Sequence, residues 1–279
     1  MTYQEIIKAH LCDYKARVFP GLPDGFWIRK KKETPLGYLL LPEDKYANLI
    51  KHYKADFFKS KFHLHGSKEK IKLHIYFYHL NSSQAMCINF FFPLMIENQL
   101  ELVTECLGFP GEKVIDGSAS FEKESTIDSA NGSRPTNFDF FFKTTTGKTF
   151  YFEIKYSEQV FGKAMDDAEH QEKYDSIYSK QLTRINPEYC NRPAFFENYQ
   201  LMRNLIHVDD NAYVVFVYPK DNLGIAAGAI KAHNKIIQPA SRSHVLLLEW
   251  EDLFVFVYNR ISNSRLIGHM EEFGRKYFI

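Results

Sequence analysis

Hydrophobic and polar positions follow two different periods along this chain. Ile6, Ile7, His10 and Leu11 fall at helical spacing and predict a first helix over residues 3–17. Pro20, Gly21, Pro23, Gly25, Pro35 and Gly37 then break the pattern, so loops and short extended pieces are expected. Tyr46, Leu49, Ile50, Tyr53 and Phe57 return to helical spacing and predict a helix over residues 44–59. Ile71, Leu73, Ile75 and Phe77 alternate, which reads as a half-buried strand. Asn81-Ser82-Ser83 opens a helix expected to reach residue 107 with an interruption at Pro93, and Gly108-Phe109-Pro110-Gly111 ends it.

Beyond residue 111 the period shortens. Short extended pieces are expected near residues 113–115 and 120–123, followed by a polar loop over 125–134. The clearest hairpin comes next: residues 137–143, the turn Thr144-Thr145-Thr146-Gly147, and residues 149–156. A helical region spans 158–207, broken around Pro187 and Pro193. The run Ala212-Tyr-Val-Val-Phe-Val-Tyr218 is apolar throughout, as in a strand buried on both faces. Residues 223–233 read as helix and 244–248 as strand, while 253–258 fit either state. Helix, three strands, helices, strand, helix, strand is the order of an α/β protein with an αβββαβ core, a mixed central sheet flanked by helices.

Composition narrows the class. The chain has 279 residues, enough for one large domain or a core with a modest extra module. Hydrophobic residues make up 45% and charged residues 25%, which excludes a wholly disordered chain. The net charge is only +1, but it is unevenly spread: residues 1–80 hold 15 Lys/Arg against 8 Asp/Glu. Residues 1–80 are therefore read as a basic, α-rich extension able to meet a polyanion, and 81–279 as the core domain. Four scattered cysteines offer neither a disulfide framework nor a zinc-ligand spacing. The charged N-terminus has no apolar signal region, and no apolar run reaches membrane-spanning length, so a soluble, cytoplasmic protein with no membrane partner is expected.

The hairpin carries the chemistry. With a period of two, Phe150, Phe152 and Ile154 share one face of its second strand, and Tyr151, Glu153 and Lys155 the other. On the first strand Asn137, Asp139 and Phe141 share a face. Matching registers bring Asp139 beside Glu153, so two carboxylates and one ammonium converge on an aromatic hairpin. Carboxylates in close approach repel, and Mg²⁺, which takes one or two carboxylates and fills its remaining positions with water and phosphate oxygens, relieves that cost. Lys155 would then hold the attacking water and offset charge on a phosphodiester. The plain alternative is a surface ion pair between Glu153 and Lys155 on a sheet edge. Elsewhere, Arg29-Lys30-Lys31-Lys32 beside Trp27 is either a DNA-backbone contact or a solvated basic loop. The lysines at 51, 54, 59 and 61 read as a solvated helix face, and His63, His65, His74 and His79 lack the carboxylate or cysteine partners of a metal cluster.

Arg134-Pro-Thr-Asn-Phe-Asp139, then Glu153-Ile-Lys155, resembles the signature of the PD-(D/E)XK nuclease superfamily. More narrowly, residues 82–94, 152–158 and 199–205 resemble a bacterial restriction-endonuclease-like group, and the resemblance covers about residues 80–260. It implies an αβββαβ core, a divalent metal (Mg²⁺, with Mn²⁺ as substitute) and endonucleolytic hydrolysis of DNA, RNA remaining open, in a restriction or defence setting. Mapped by position, Asp139 and Glu153 would bind metal and Lys155 would serve the nucleophilic water. Pro135 stands four residues before Asp139 rather than adjacent to it. Such folds often add a Glu from the preceding helix, here Glu97 in preference to Glu101 or Glu105, and a Gln or basic residue from the following helix, here Gln200 or Arg203. A homodimer is a further expectation, since restriction-type cutting of both strands often needs one. The rival reading is a non-catalytic nucleic-acid-binding or assembly protein on the same fold.

Overall fold

The elements alternate as the two periods require. The computed structural model describes residues 1–29, 32–129 and 135–279. In chain order come α1 (Tyr3–Val18), the antiparallel pair β1 (Gly25–Arg29) and β2 (Lys32–Leu36), a 3-10 turn at Pro42–Asn48, α2 (Lys51–Lys59), α3 (Ser83–Ile96) and α4 (Glu101–Cys106). β3 (Ser120–Glu124), β4 (Asn137–Lys143) and β5 (Thr149–Ile154) follow, then α5 (Ala168–Ser176), α6 (Arg192–Glu197) and α7 (Tyr199–Leu205). β6 (Ala212–Tyr218), α8 (Leu223–Lys231), β7 (Val245–Glu249), α9 (Trp250–Tyr258) and α10 (Ser264–Tyr277) complete the order. Packing groups these elements into two units, Met1–Cys106 with Glu251–Ile279, and Leu107–Trp250. The change of charge near residue 80 is thus not where the packing groups part: α3 and α4 stay with the N-terminal residues.

Unit 1 is built around α3, whose residues from Gln84 to Leu94 are all buried. Pro93 does not interrupt this helix. Lacking an N–H, it leaves the Asn89 carbonyl without its helical donor, and the His269 ring Nε2 on α10 meets that carbonyl at 2.6 Å. The break comes later, at Asn98, whose φ is +53°. The helix expected over 44–59 is also divided. At Ile50 the backbone N–H donates to Asn89 Oδ1 at 2.9 Å, so the chain leaves the helical path between the 3-10 turn and α2. Nearby, Lys276 of α10 is buried and donates to both the carbonyl and the side-chain oxygen of Asn48, each at 2.6 Å.

The strand expected at 71–77 does not form. A strand needs a neighbour for its backbone groups, and here a side chain supplies one: Gln84 Oε1 accepts from His74 N–H at 2.8 Å, and its Nε2 donates to Lys72 O at 3.2 Å. The chain then turns, with Phe77 N–H donating to His74 O, and Ile75, counted among the buried positions by its alternation, is 74% exposed.

Unit 2 holds a five-stranded sheet in the order β3-β4-β5-β6-β7, antiparallel from β3 to β5 and parallel from β5 to β7. β5 is its central strand. The β4–β5 connection closes with Gly147 N–H donating to Thr144 O, and Gly147 has φ +90°, a conformation that costs glycine little. Phe138, Phe140, Phe142, Phe150 and Phe152 are all fully buried, which ties the hairpin's register to the core. β6 is buried almost along its whole length, as its unbroken apolar run requires. The expected mixed α/β sheet flanked by helices is present. The helical region of 158–207 is shorter than expected, because residues 157–167 form a loop, and α10, whose Leu266, Met270, Phe273 and Tyr277 fall at helical spacing, was not among the expected elements. Among the described residues, no helix is long and apolar enough to cross a membrane.

Candidate active site

The site lies in unit 2, where β5 ends. Glu153 and Lys155, two positions apart on one face of the central strand, meet directly, Lys155 Nζ donating to Glu153 Oε1 at 2.6 Å. Both are buried, with 4% and 8% of their surface exposed. The alternative of a surface pair at a sheet edge is therefore wrong on both counts, since β5 has a strand on each side. Beyond Ile154 the ladder continues through Lys155 N–H to Val217 O, and Trp250 Nε1 donates to Lys155 O at 3.1 Å. Asn222 then pins the following loop by donating to the carbonyls of Tyr156 and Glu158, at 3.0 and 2.8 Å. Phe161 in that loop lies 5.7 Å from the Lys155 ammonium, measured to its ring centre. Gly228 makes this placement possible: a Cβ there would come within 2.6 Å of the Phe161 ring.

Glu153 is held on both oxygens. From α7, Gln200 Nε2 donates to Oε1 at 2.7 Å and Asn204 Nδ2 donates to Oε2 at 2.9 Å. Asp139 comes from β4. The register sets Phe140 opposite Phe152, so the next step sets Asp139 beside Glu153. There its Oδ2 accepts from Ile154 N–H at 2.6 Å, the residue between the two charged ones.

The electrostatics are unbalanced. Burial, then the Glu153 carboxylate, and to a smaller degree Glu122, push the Asp139 carboxyl well above the ordinary carboxylate range, against the pull of Lys155 and the Ile154 N–H. Burial alone would lower the Lys155 ammonium, but Glu153, Glu158 and Asp139 outweigh it and hold Lys155 above an ordinary lysine. Lys155 is thus a permanent cation at neutral pH. Glu122 is half-buried on β3, flanked by the pairs Phe121–Phe140 and Lys123–Phe138 and so level with Asp139. Its φ of +51° is a left-handed conformation that a glutamate seldom adopts.

Of the expected residues, Asp139, Glu153, Lys155 and Gln200 come together. Arg203 does not join them: its guanidinium donates to Thr136 Oγ1 at 2.8 Å and to Asp128 Oδ2 at 3.3 Å. Glu97 belongs to unit 1, where Tyr53 OH and Asn263 Nδ2 each donate to it at 2.7 Å. Arg29 and Lys32 pair across the β1–β2 hairpin, while Lys30, Lys31 and Arg134 lie outside the described residues. Asn204 and Glu122 were missed. Asn204 follows Gln200 by four residues and so shares its helix face, a readable signal, whereas Glu122 reaches the site only through strand pairing that no local pattern shows.

Among the described residues, no group of three or more His, Cys, Asp or Glu is arranged to hold a metal ion. The donor set nonetheless suits a hard divalent cation: two carboxylates on adjacent strands, one of them raised by the other, are the protein ligands that Mg²⁺ takes before water and phosphate oxygens.

No curated protein and no solved structure matches the chain. A family model described as restriction endonuclease associating with ARP matches residues 25–278, most of both units. With a buried acid–lysine cluster at the end of a central strand in a mixed sheet, and a match across more than half its length, the chain belongs to that restriction-endonuclease-like family.

Proposed function

We propose that this protein is a divalent-metal-dependent endonuclease of the PD-(D/E)XK kind, hydrolysing phosphodiester bonds of DNA in a restriction or other defence setting. The observation that carries this reading is the buried Glu153–Lys155 pair with Asp139 bound to the intervening Ile154 N–H. A pair made only for stability has no use for a second, half-buried acid beside it, because uncompensated charge withdrawn from water is costly. The family's description adds an association with ARP, which makes an ARP protein the expected partner. Cutting both strands of a duplex with one site per chain calls for two copies.

Asp139 and Glu153 would hold Mg²⁺, with Mn²⁺ as a substitute. When bound, the ion supplies an activated water and neutralises charge on the scissile phosphate. Gln200 and Asn204 fix the Glu153 carboxylate so that it does not turn when substrate arrives. Lys155 is too strongly protonated to accept a proton, so it acts as a donor: it orients the oxygen of the attacking water and offsets the negative charge that builds on the phosphorus oxygens. The Phe161 ring lies over this cation, and Trp250 fixes the Lys155 backbone through its carbonyl.

Plasmid cleavage by the purified protein with Mg²⁺, Mn²⁺ or EDTA, beside Lys155→Ala, tests the reading. Metal-dependent cutting that the variant loses is expected. Failure to cut unmodified, modified or single-stranded DNA, together with no metal binding by calorimetry, would favour a non-catalytic nucleic-acid-binding protein instead.

A further inference from the structure

Unit 1 contains a cavity of about 300 Å³ between its 3-10 turn, α2 and the segment that fails to form a strand. Its aromatic wall is Tyr46, His63 and the fully buried Phe57. Tyr46 OH lies 3.1 Å from His63 Nε2, and the two rings meet edge to face with centres 5.4 Å apart, so each holds the other in place. The rest of the lining includes three lysines, Lys45, Lys70 and Lys72. Lys45 Nζ lies 5.3 Å from the centre of the Tyr46 ring. Among the described residues, none of the three has a carboxylate within ion-pair distance, whereas neighbouring Lys61 is committed to Glu69 at 2.6 Å.

Aromatic rings and ammonium groups without a carboxylate partner, lining one cavity, are the two components of a nucleotide site. Flat aromatic faces stack on any base, and lysines serve as point charges for phosphates. An acidic side chain would use the lysines and leave the aromatic wall without a partner. The volume stands at the low end of small-ligand sites, ~300–1,000 Å³, which is room for one base and its sugar and not for a duplex. We propose that this cavity binds a single nucleotide, its base against Tyr46 and His63 and its phosphates on Lys45, Lys70 and Lys72, so that unit 1 reads a base standing outside a double helix. The site lies wholly within unit 1 and does not rest on the hydrolytic reading.

The test uses the full chain in EDTA, so that cleavage plays no part. The probes are a single-stranded oligonucleotide containing 2-aminopurine, the fully paired duplex of the same sequence, and AMP. The single strand is expected to bind with a change in 2-aminopurine fluorescence, more tightly than the duplex. Tyr46→Ala should weaken that binding roughly 10- to 100-fold, the loss of one stacked base. Leu73→Trp, which fills the cavity while keeping every lysine, should do the same. Lys70→Gln with Lys72→Gln should lower the slope of log affinity against log salt by about 1.4, two phosphate contacts on a single strand. Competition by AMP would identify a free nucleotide as the occupant, and its absence a base within a strand. Thermal melting keeps misfolded variants out of the comparison. Binding within twofold of the original in both Tyr46→Ala and Leu73→Trp would overturn the proposal, even if the lysine changes weakened it, because the patch would then be a plain backbone contact.

Discussion

Two clusters in unit 2 bury a carboxylate beside cations, and they settle their charge in opposite ways. Asp128 is fully buried and accepts from Thr136 N–H, Thr136 Oγ1 and Tyr178 OH at 2.7–2.9 Å, with Arg203 at 3.3 Å and Lys173 at 3.8 Å. Burial alone would raise its pKa, but the Thr136 and Tyr178 hydrogen bonds and the Arg203 charge overcome that and hold it at about 2. At the other cluster Asp139 is raised, first by its withdrawal from water and then by the second acid that faces it, with one lysine serving both. One acid with two cations is a fastening: it ties the entry of β4 to α7. Two acids with one cation is a site left short of positive charge, and under the proposed function that shortage is what a divalent cation would fill. The same helix serves both, through Gln200 and Asn204 on one cluster and Arg203 on the other.

The contrast breaks most readily at Asp139. Asp139→Asn should lower cleavage by on the order of 10³-fold, the loss of a preorganised charge at the reacting centre. It should also make the metal-free protein more stable at neutral pH. The sign follows from linkage: a carboxyl raised on folding contributes stability that is full below its unfolded pKa and is lost as pH rises through its folded one. Urea unfolding of the variant at higher urea than the original would support this, while retained cleavage or a lower midpoint would refute it. Asp128→Ala should act in the reverse sense, costing about 3–5 kcal/mol because it leaves Arg203 and Lys173 without their counter-charge. Asp128 is depressed on folding, so its contribution is present above the unfolded value of about 3.9 and disappears as pH falls through about 2. Acid unfolding should therefore lose part of its slope in the variant, and a cost under about 1 kcal/mol would deny Asp128 its fastening role. The smallest effect is expected at Gln200→Ala and Asn204→Ala, each weakening metal affinity or cleavage about 10- to 100-fold. If Arg203→Ala matched them in metal titrations while its stability stayed unchanged, the division of labour on α7 would be wrong.

The parts of the site that lie close in sequence were legible there. Glu153, Lys155 and Asp139 share one hairpin, and alternation alone sets their faces. Gln200 and Arg203 were reached only by family resemblance, and Arg203, a neighbour of Gln200 on α7, is taken up instead by Thr136 and Asp128, which no local pattern brings to it. Glu122 depends on a strand pairing from outside the hairpin. In unit 1 the failures have one cause. Alternation at 71–77 and the proline at 93 were read as local instructions, while Gln84 and His269, distant in sequence, satisfy the backbone groups concerned.

α10 is separated from Met1–Cys106, the larger part of unit 1, by the whole of unit 2, and that spacing sets a timetable during synthesis. All of Leu107–Trp250 leaves the ribosome before Ser264 does, so unit 2 has every strand of its sheet in hand while unit 1 still waits. Until α10 arrives, the Asn89 carbonyl orphaned by Pro93 and the Asn48 side-chain oxygen lack the partners that His269 and Lys276 bring. The unit that begins first is therefore completed second, closed by a clasp that translation delivers late.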